Sequence, residues 1–88
     1  MQVVNSSEVR WLVAWFRANN EKLASISDGE IAAADYFAKE YIDSFGVITL
    51  IAEIEERFNI RFDDLDFQDR RFSTIAGLAE ILRAKAAE

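Results

Sequence analysis

The stretch Ile42-Asp43-Ser44-Phe45-Gly46-Val47-Ile48-Thr49-Leu50-Ile51-Ala52-Glu53-Ile54-Glu55-Glu56-Arg57-Phe58 decides how the rest of the chain is read. Val47, Ile51, Ile54 and Phe58 recur at helical spacing, and this predicts a helix from Ser44 or Phe45 to Phe58 with an inward stripe widened by Ile48 and Leu50. Glu53 and Glu56 fall on the outward side, with Glu55 at the flank. Asp43 and Ser44 stand at the N-terminus, where a side-chain oxygen can accept from N–H groups that lack an intrahelical partner.

That apolar stripe needs covering, and the flanks supply two further helices. Val9, Leu12, Val13 and Phe16 form one stripe of a helix over Ser7–Asn19. Asn5 and Glu8 resemble a capping box at its start, and Asn19-Asn20 provides a stop. Trp11 and Trp15 lie one turn apart on the edge of the stripe and read as cover for a neighbouring loop. Residues 20–43 show no sustained period. They contain an Asp28-Gly29 turn and apolar anchors at Leu23, Ile26, Ile31, Phe37 and Ile42, with one helical turn around Ile31–Tyr36.

Beyond Phe58, Ile60 and Phe62 alternate and can plug the core. A short helix is expected around Leu65–Arg71, offering Leu65 and Phe67 for burial. Ser73 or Thr74 can cap a last helix that buries Ile75, Leu78, Ala79 and Leu82. Gly77 costs that helix about 1 kcal/mol relative to alanine, for which close packing is the one reason legible in the sequence. The Ala-rich end, 84–88, reads as a fraying terminus. The expectation is an all-α fold: a small four-helix bundle of three main helices and one short one, with a long first loop, as a single domain over residues 1–88.

Charge and missing residue types narrow the function. Sixteen acids against ten bases leave a net charge of −6. Residues 43–69 hold eight acids and two bases, so that segment equals the whole net charge while the flanks cancel. Such a surface repels phosphate backbones and anionic lipid, and suits basic protein partners. The chain has no Cys and no His, which removes thiolate and imidazole nucleophiles, disulfides and Cys/His metal sites. A chain this short has little room for its own catalytic pocket, so demanding chemistry needs an imported group. The start, Met1-Gln-Val-Val-Asn5, lacks a basic region followed by an apolar core, and no apolar run reaches the length of a membrane span. The protein reads as cytoplasmic.

Ile42-Asp43-Ser44-Phe45-Gly46-Val47-Ile48, followed by Leu50-Ile51, Ile54-Glu55-Glu56 and Phe58-Asn59-Ile60, resembles the acyl carrier protein family, and Phe72-Ser73-Thr74-Ile75 with Leu78-Ala79 resembles the entry to that family's last helix. The resemblance covers roughly residues 35–82. It implies that Ser44, next to Asp43, carries a covalent 4′-phosphopantetheine derived from coenzyme A. It further implies that acyl intermediates ride on the arm's thiol as thioesters, and that partners dock on Phe45, Glu53, Glu55 and Glu56. The implied partners are a phosphopantetheinyl transferase and an acyl- or aminoacyl-adenylating ligase, acyltransferase or synthase. The protein itself would be a monomer with no catalytic residue and no metal. Independently, a helix N-terminus favours an attached phosphodiester through its free N–H groups and dipole, and the chain has no imidazole or thiol to make Ser44 self-acting.

Members that serve fatty-acid synthesis usually have an acid two residues after the serine and another further along the exposed face. Here those positions are Gly46 and Thr49. With the lead-in Asp35-Tyr36-Phe37 and Tyr41-Ile42, this favours a specialised, stand-alone carrier. Two alternatives share the sequence features: an aminoacyl or peptidyl carrier, including the D-alanyl type, and an unmodified acidic helical interaction module. A calcium loop over Asp64, Asp66 and Gln68 fails, because Asp69 takes the turn glycine's place and Ile75 that of the bidentate Glu. A hydrolase built on Ser44 lacks both the glycine elbow and a base.

Overall fold

Local caps open and close the helices. In the computed structural model, which describes residues 6–86, the Ser6 hydroxyl accepts from Val9 N at 3.1 Å and starts α1 (Ser7–Asn19). Asn5, expected as the cap, lies outside the described residues. Ser27 caps a short α2 (Asp28–Ala33), and Asp43 caps α3 (Ser44–Phe58). Asn59 ends α3 in the left-handed region at φ 54°, its N–H donating to Glu55 O. Asp63 and Asp66 form a reciprocal capping box around α4 (Asp64–Gln68), and Thr74 Oγ1 accepts from Gly77 N at 2.9 Å to open α5 (Ile75–Ala86). Single 3₁₀ turns occupy Glu21–Ser25 and Arg70–Ser73. The fold is a small all-α bundle whose three long helices are the expected ones. Among the described residues there is no strand, and no helix is long and apolar enough to cross a membrane.

The interior is built on α1 and α5. Val9, Leu12, Val13 and Phe16 meet Ile75, Leu78, Ala79, Ile81 and Leu82, all buried. The segment between α1 and α3 packs down on them. Leu23 and Ile31 are buried in it, and so is Tyr36, whose hydroxyl donates to Phe72 O and whose N–H donates to Ser73 O at 3.1 Å. Asp35 and Thr74 form an isolated antiparallel bridge there. Burial first, and then the neighbouring Asp35 charge, push the Tyr36 hydroxyl well above its ordinary pKa. By contrast α3 makes few close backbone approaches to the other helices. It joins them through side chains: Leu50 and Ile54 are buried, and Phe58 meets Trp11 edge-on at 5.5 Å.

Six expectations need correction. The single turn placed at Ile31–Tyr36 is instead α2, which begins at the Asp28-Gly29 pair read as a turn and ends at Ala33. Arg17 explains the shift, because it donates to Leu23 O and Ile26 O, both at 2.6 Å, and pairs with Asp28 at 2.6 Å, pinning the chain just before the helix. Ile48 is 67% exposed; at the helical step it falls about 100° from the centre of the stripe formed by Val47, Leu50, Ile51, Ile54 and Phe58. The helix expected over Leu65–Arg71 divides at Asp69 into α4 and the second 3₁₀ turn. Leu65 is 76% exposed, and α4 is held instead by its next residue, Asp66, which Lys85 meets at 2.7 Å. Phe67 is also exposed, although its ring still touches Phe62 and Phe72. Phe37, expected as an anchor, is exposed next to the buried Tyr36 ring.

Gly77 has a structural reason. A Cβ there would lie 2.3 Å from Arg71 O and 2.7 Å from Arg71 Cα, so the glycine lets the backbone of the 3₁₀ turn rest directly on α5. The Ala-rich end continues α5 as far as Ala86, and residues 87–88 lie outside the described set.

Candidate functional site

The start of α3 is fixed from both sides. Asp43 has extended backbone geometry; its Oδ1 accepts from Gly46 N at 2.7 Å and its carbonyl accepts from Val47 N at 2.9 Å. Gly46 permits this closeness, since a Cβ there would sit 2.8 Å from the Ile42 side chain and 3.2 Å from Asp43 Oδ1. Ahead of the cap, Tyr41 N donates to Tyr36 O at 2.9 Å, and Asn20 Nδ2 reaches Tyr41 O at 3.2 Å. The segment leading to Ser44 is therefore tied to the buried Tyr36 and to the end of α1.

Ser44 is exposed as the first residue of α3, and Phe45 beside it is 83% exposed. The first turn of α3 carries no acidic residue. Asp43 takes the N–H groups of Gly46 and Val47, and those of Ser44 and Phe45 precede the first intrahelical bond. A phosphodiester on Ser44 Oγ would thus meet the positive end of the helix dipole with no carboxylate inside the turn, and the residues present fit such a group. No cluster of three or more side chains that could hold a metal occurs among the described residues.

The three glutamates predicted on the exposed face differ in their bonding. Glu53 is exposed, and its Oε2 accepts from Trp15 Nε1 at 3.1 Å. Glu55 is half-buried and accepts from Phe62 N at 3.0 Å, which anchors the segment after α3. Glu56 is exposed near Arg61, beside a shallow cavity at the far end of the helix. The structure brings Asp43, Ser44 and Phe45 together and sets the glutamates two to three turns further along α3.

Sequence reasoning missed a cleft of about 700 Å³ that begins at Ser44 and runs between the end of α1 and the chain ahead of α3. Trp15, Asn19, Phe37, Glu40 and Tyr41 line it alongside Asp43 and Phe45. Trp15 therefore does more than cover a loop, because its indole closes one wall and links α1 to α3. The spacing of Trp15 and Asn19, one helical turn apart, was visible; their meeting with residues 37–45 depends on the tertiary fold.

A family model described as the phosphopantetheine attachment site matches residues 15–82 of this chain. The match spans α1 from Trp15 through most of α5, and the chain belongs to that family, whose domains carry covalently attached 4′-phosphopantetheine. No curated protein and no solved structure matches the chain.

Proposed function

We propose that this protein is a carrier that holds acyl intermediates as thioesters on a 4′-phosphopantetheine arm attached to Ser44 and delivers them to partner enzymes. The observation that carries the reading is the exposed Ser44 at the capped, acid-free first turn of α3, in a chain of the phosphopantetheine family. Once attached, the arm supplies the thiol that the sequence lacks. Ser44 Oγ attacks the phosphorus of coenzyme A that bears the pantetheine, the P–O bond of the pyrophosphate breaks, 3′,5′-adenosine bisphosphate leaves, and the Ser44 proton passes to a base of the transferring enzyme, because the chain has no His or Cys to take it. The protein is not an enzyme. It acts as a single cytoplasmic domain and a monomer, in a specialised pathway.

Partners dock on the exposed face of α3, with Arg or Lys meeting Glu53 and Glu56 and an apolar surface meeting Phe45; Glu55 has the lesser part, since its carboxylate is engaged by Phe62 N. Gly46 and Thr49 stand where acidic residues would strengthen that docking, and Thr49 Oγ1 instead donates to Phe45 O at 3.1 Å. This supports a stand-alone carrier with its own partner set.

The test is incubation with coenzyme A and a broad-specificity phosphopantetheinyl transferase, followed by intact-mass measurement. The wild type should gain one phosphopantetheine and Ser44→Ala none. No gain under conditions that load a control carrier would refute the reading and leave an unmodified interaction module.

A further inference from the structure

We infer that Glu40 is a recognition residue for the transferase that loads Ser44, placed to meet a basic side chain of that enzyme. The inference rests on the carrier reading and names a contact that lies outside α3.

Ahead of α3 the chain makes one helical turn over residues 36–40. Asp35 opens it, with Oδ1 accepting from Phe37 N and Ala38 N at 3.0 Å each. A nested pair of bonds closes it: Glu40 N donates to Phe37 O at 3.1 Å, and Tyr41 N donates to Tyr36 O at 2.9 Å. This is the pairing that ends many helices, and it places Glu40 in the left-handed region at φ 58°. Glycine is the usual residue at such a position, because a Cβ is strained at positive φ. Asn59 also has positive φ, but asparagine tolerates that region and here closes α3. Glutamate has no such tolerance, so the Glu40 side chain is retained against the preference of the backbone.

The turn makes no use of that side chain. Glu40 is exposed, and its carboxylate has no hydrogen-bond or ion-pair partner among the described residues. It lines the cleft that begins at Ser44. Tyr41 N on Tyr36 O and Asn20 Nδ2 on Tyr41 O hold the backbone between Glu40 and Ser44. An enzyme that presents coenzyme A to Ser44 has to neutralise the pyrophosphate there, so it brings cationic side chains to this end of the molecule. Asp43 has its carboxylate engaged by Gly46 N, and the first turn of α3 holds no acid. Glu40 is the carboxylate left to receive a cation, and backbone strain kept at such a place marks a functional residue.

The experiment measures loading by a broad-specificity phosphopantetheinyl transferase with coenzyme A, beside thermal melts of the unloaded proteins. Intact mass first verifies that the wild type gains one phosphopantetheine; failure there overturns the carrier reading, and this inference with it. Glu40→Gln keeps the shape of the side chain and removes its charge. It should raise the KM for the carrier about fivefold at low salt, as loss of one exposed ion pair would, with kcat unchanged and the difference closing at high salt. Glu40→Gly should load as slowly as Glu40→Gln and yet melt a few degrees above wild type, because it relieves the left-handed strain. That split separates recognition from a structural role. Glu40→Gln loading at the wild-type rate at low salt, or a deficit that persists at high salt, would overturn the recognition role. Glu40→Gly melting below wild type would also overturn it, by showing that the side chain serves the fold.

Discussion

Replacing Gly77 by alanine opposes two effects of known sign. Inside a helix alanine is favoured over glycine by about 1 kcal/mol, so propensity alone predicts stabilisation. At this position, however, the new methyl would lie 2.3 Å from Arg71 O, 2.7 Å from Arg71 Cα and 2.8 Å from Arg71 C. These are backbone atoms of the 3₁₀ turn, which is held by Tyr36 N on Ser73 O and by the Tyr36 hydroxyl on Phe72 O. No side chain can rotate away. Overpacking costs roughly 1–3 kcal/mol when side chains can adjust, and a backbone obstacle belongs at the upper end. Taking about 3 kcal/mol against a gain of about 1 leaves a net loss of about 2 kcal/mol. In a domain of this size that lowers Tm by about 10 °C. The assay is a thermal melt followed by circular dichroism at 222 nm. The control is Ala84→Gly on an exposed position of the same helix, which reports propensity alone. A Tm for Gly77→Ala equal to or above wild type would refute the packing argument.

The Tyr36 hydroxyl titrates above its ordinary value in the fold, so its contribution is fully present below about pH 10 and is lost as pH rises beyond that. Stability of the wild type should therefore fall in alkali, while Tyr36→Phe, which leaves Phe72 O without its donor, should cost about 1–3 kcal/mol at neutral pH in chemical denaturation. At the other end of the scale, partial burial opposes ionisation of Asp66, but the hydrogen bond from Lys85 and the Asp63 N–H outweigh it and hold the carboxyl below the usual range. A depressed carboxylate stabilises above its unfolded pKa and loses that effect as pH falls. Asp66→Asn should thus be less stable by about 1 kcal/mol at pH 7, with the gap closing below about pH 4 in paired melts. On the exposed face, Glu56→Lys, which leaves the Trp15–Glu53 link in place, should slow loading by a basic partner enzyme at low salt while the helical circular dichroism is preserved; unchanged kinetics there would count against docking through this acid.

How far the sequence could be read depends on the range over which each feature is set. The cap at Asp43, the stripe of α3 and the burial of Ile75, Leu78, Ala79 and Leu82 are local or periodic, and they were legible. Ile48 was misplaced because an apolar residue beside a stripe looks like a widening of it, when the helical step carries it out to solvent. Leu65 was misplaced because the five-residue α4 is held instead by its next residue, Asp66, which meets Lys85 nineteen positions away in the chain. The short α2 depends on Arg17 grasping carbonyls and a carboxylate further along the chain. The same holds at the candidate site. Ser44 and its neighbours are contiguous, but the cleft is assembled from the end of α1 and the segment before α3. The bond from Trp15 to Glu53 joins residues 38 positions apart.

The standoff of α3 separates what keeps this protein folded from what it presents. Cohesion resides in α1, α5 and the turn beneath Gly77, where backbones approach closely and the largest side chains are sealed. Ser44, Phe45, Glu53 and Glu56 sit on a helix attached to that unit by Leu50, Ile54, Phe58 and one indole hydrogen bond. Substitutions on the outward side of α3, Glu53 excepted because it accepts from Trp15, therefore leave the packed unit of α1 and α5 untouched. If partners dock on that side as proposed, it can change to suit a new partner at little cost in stability, the exposed Ile48 included.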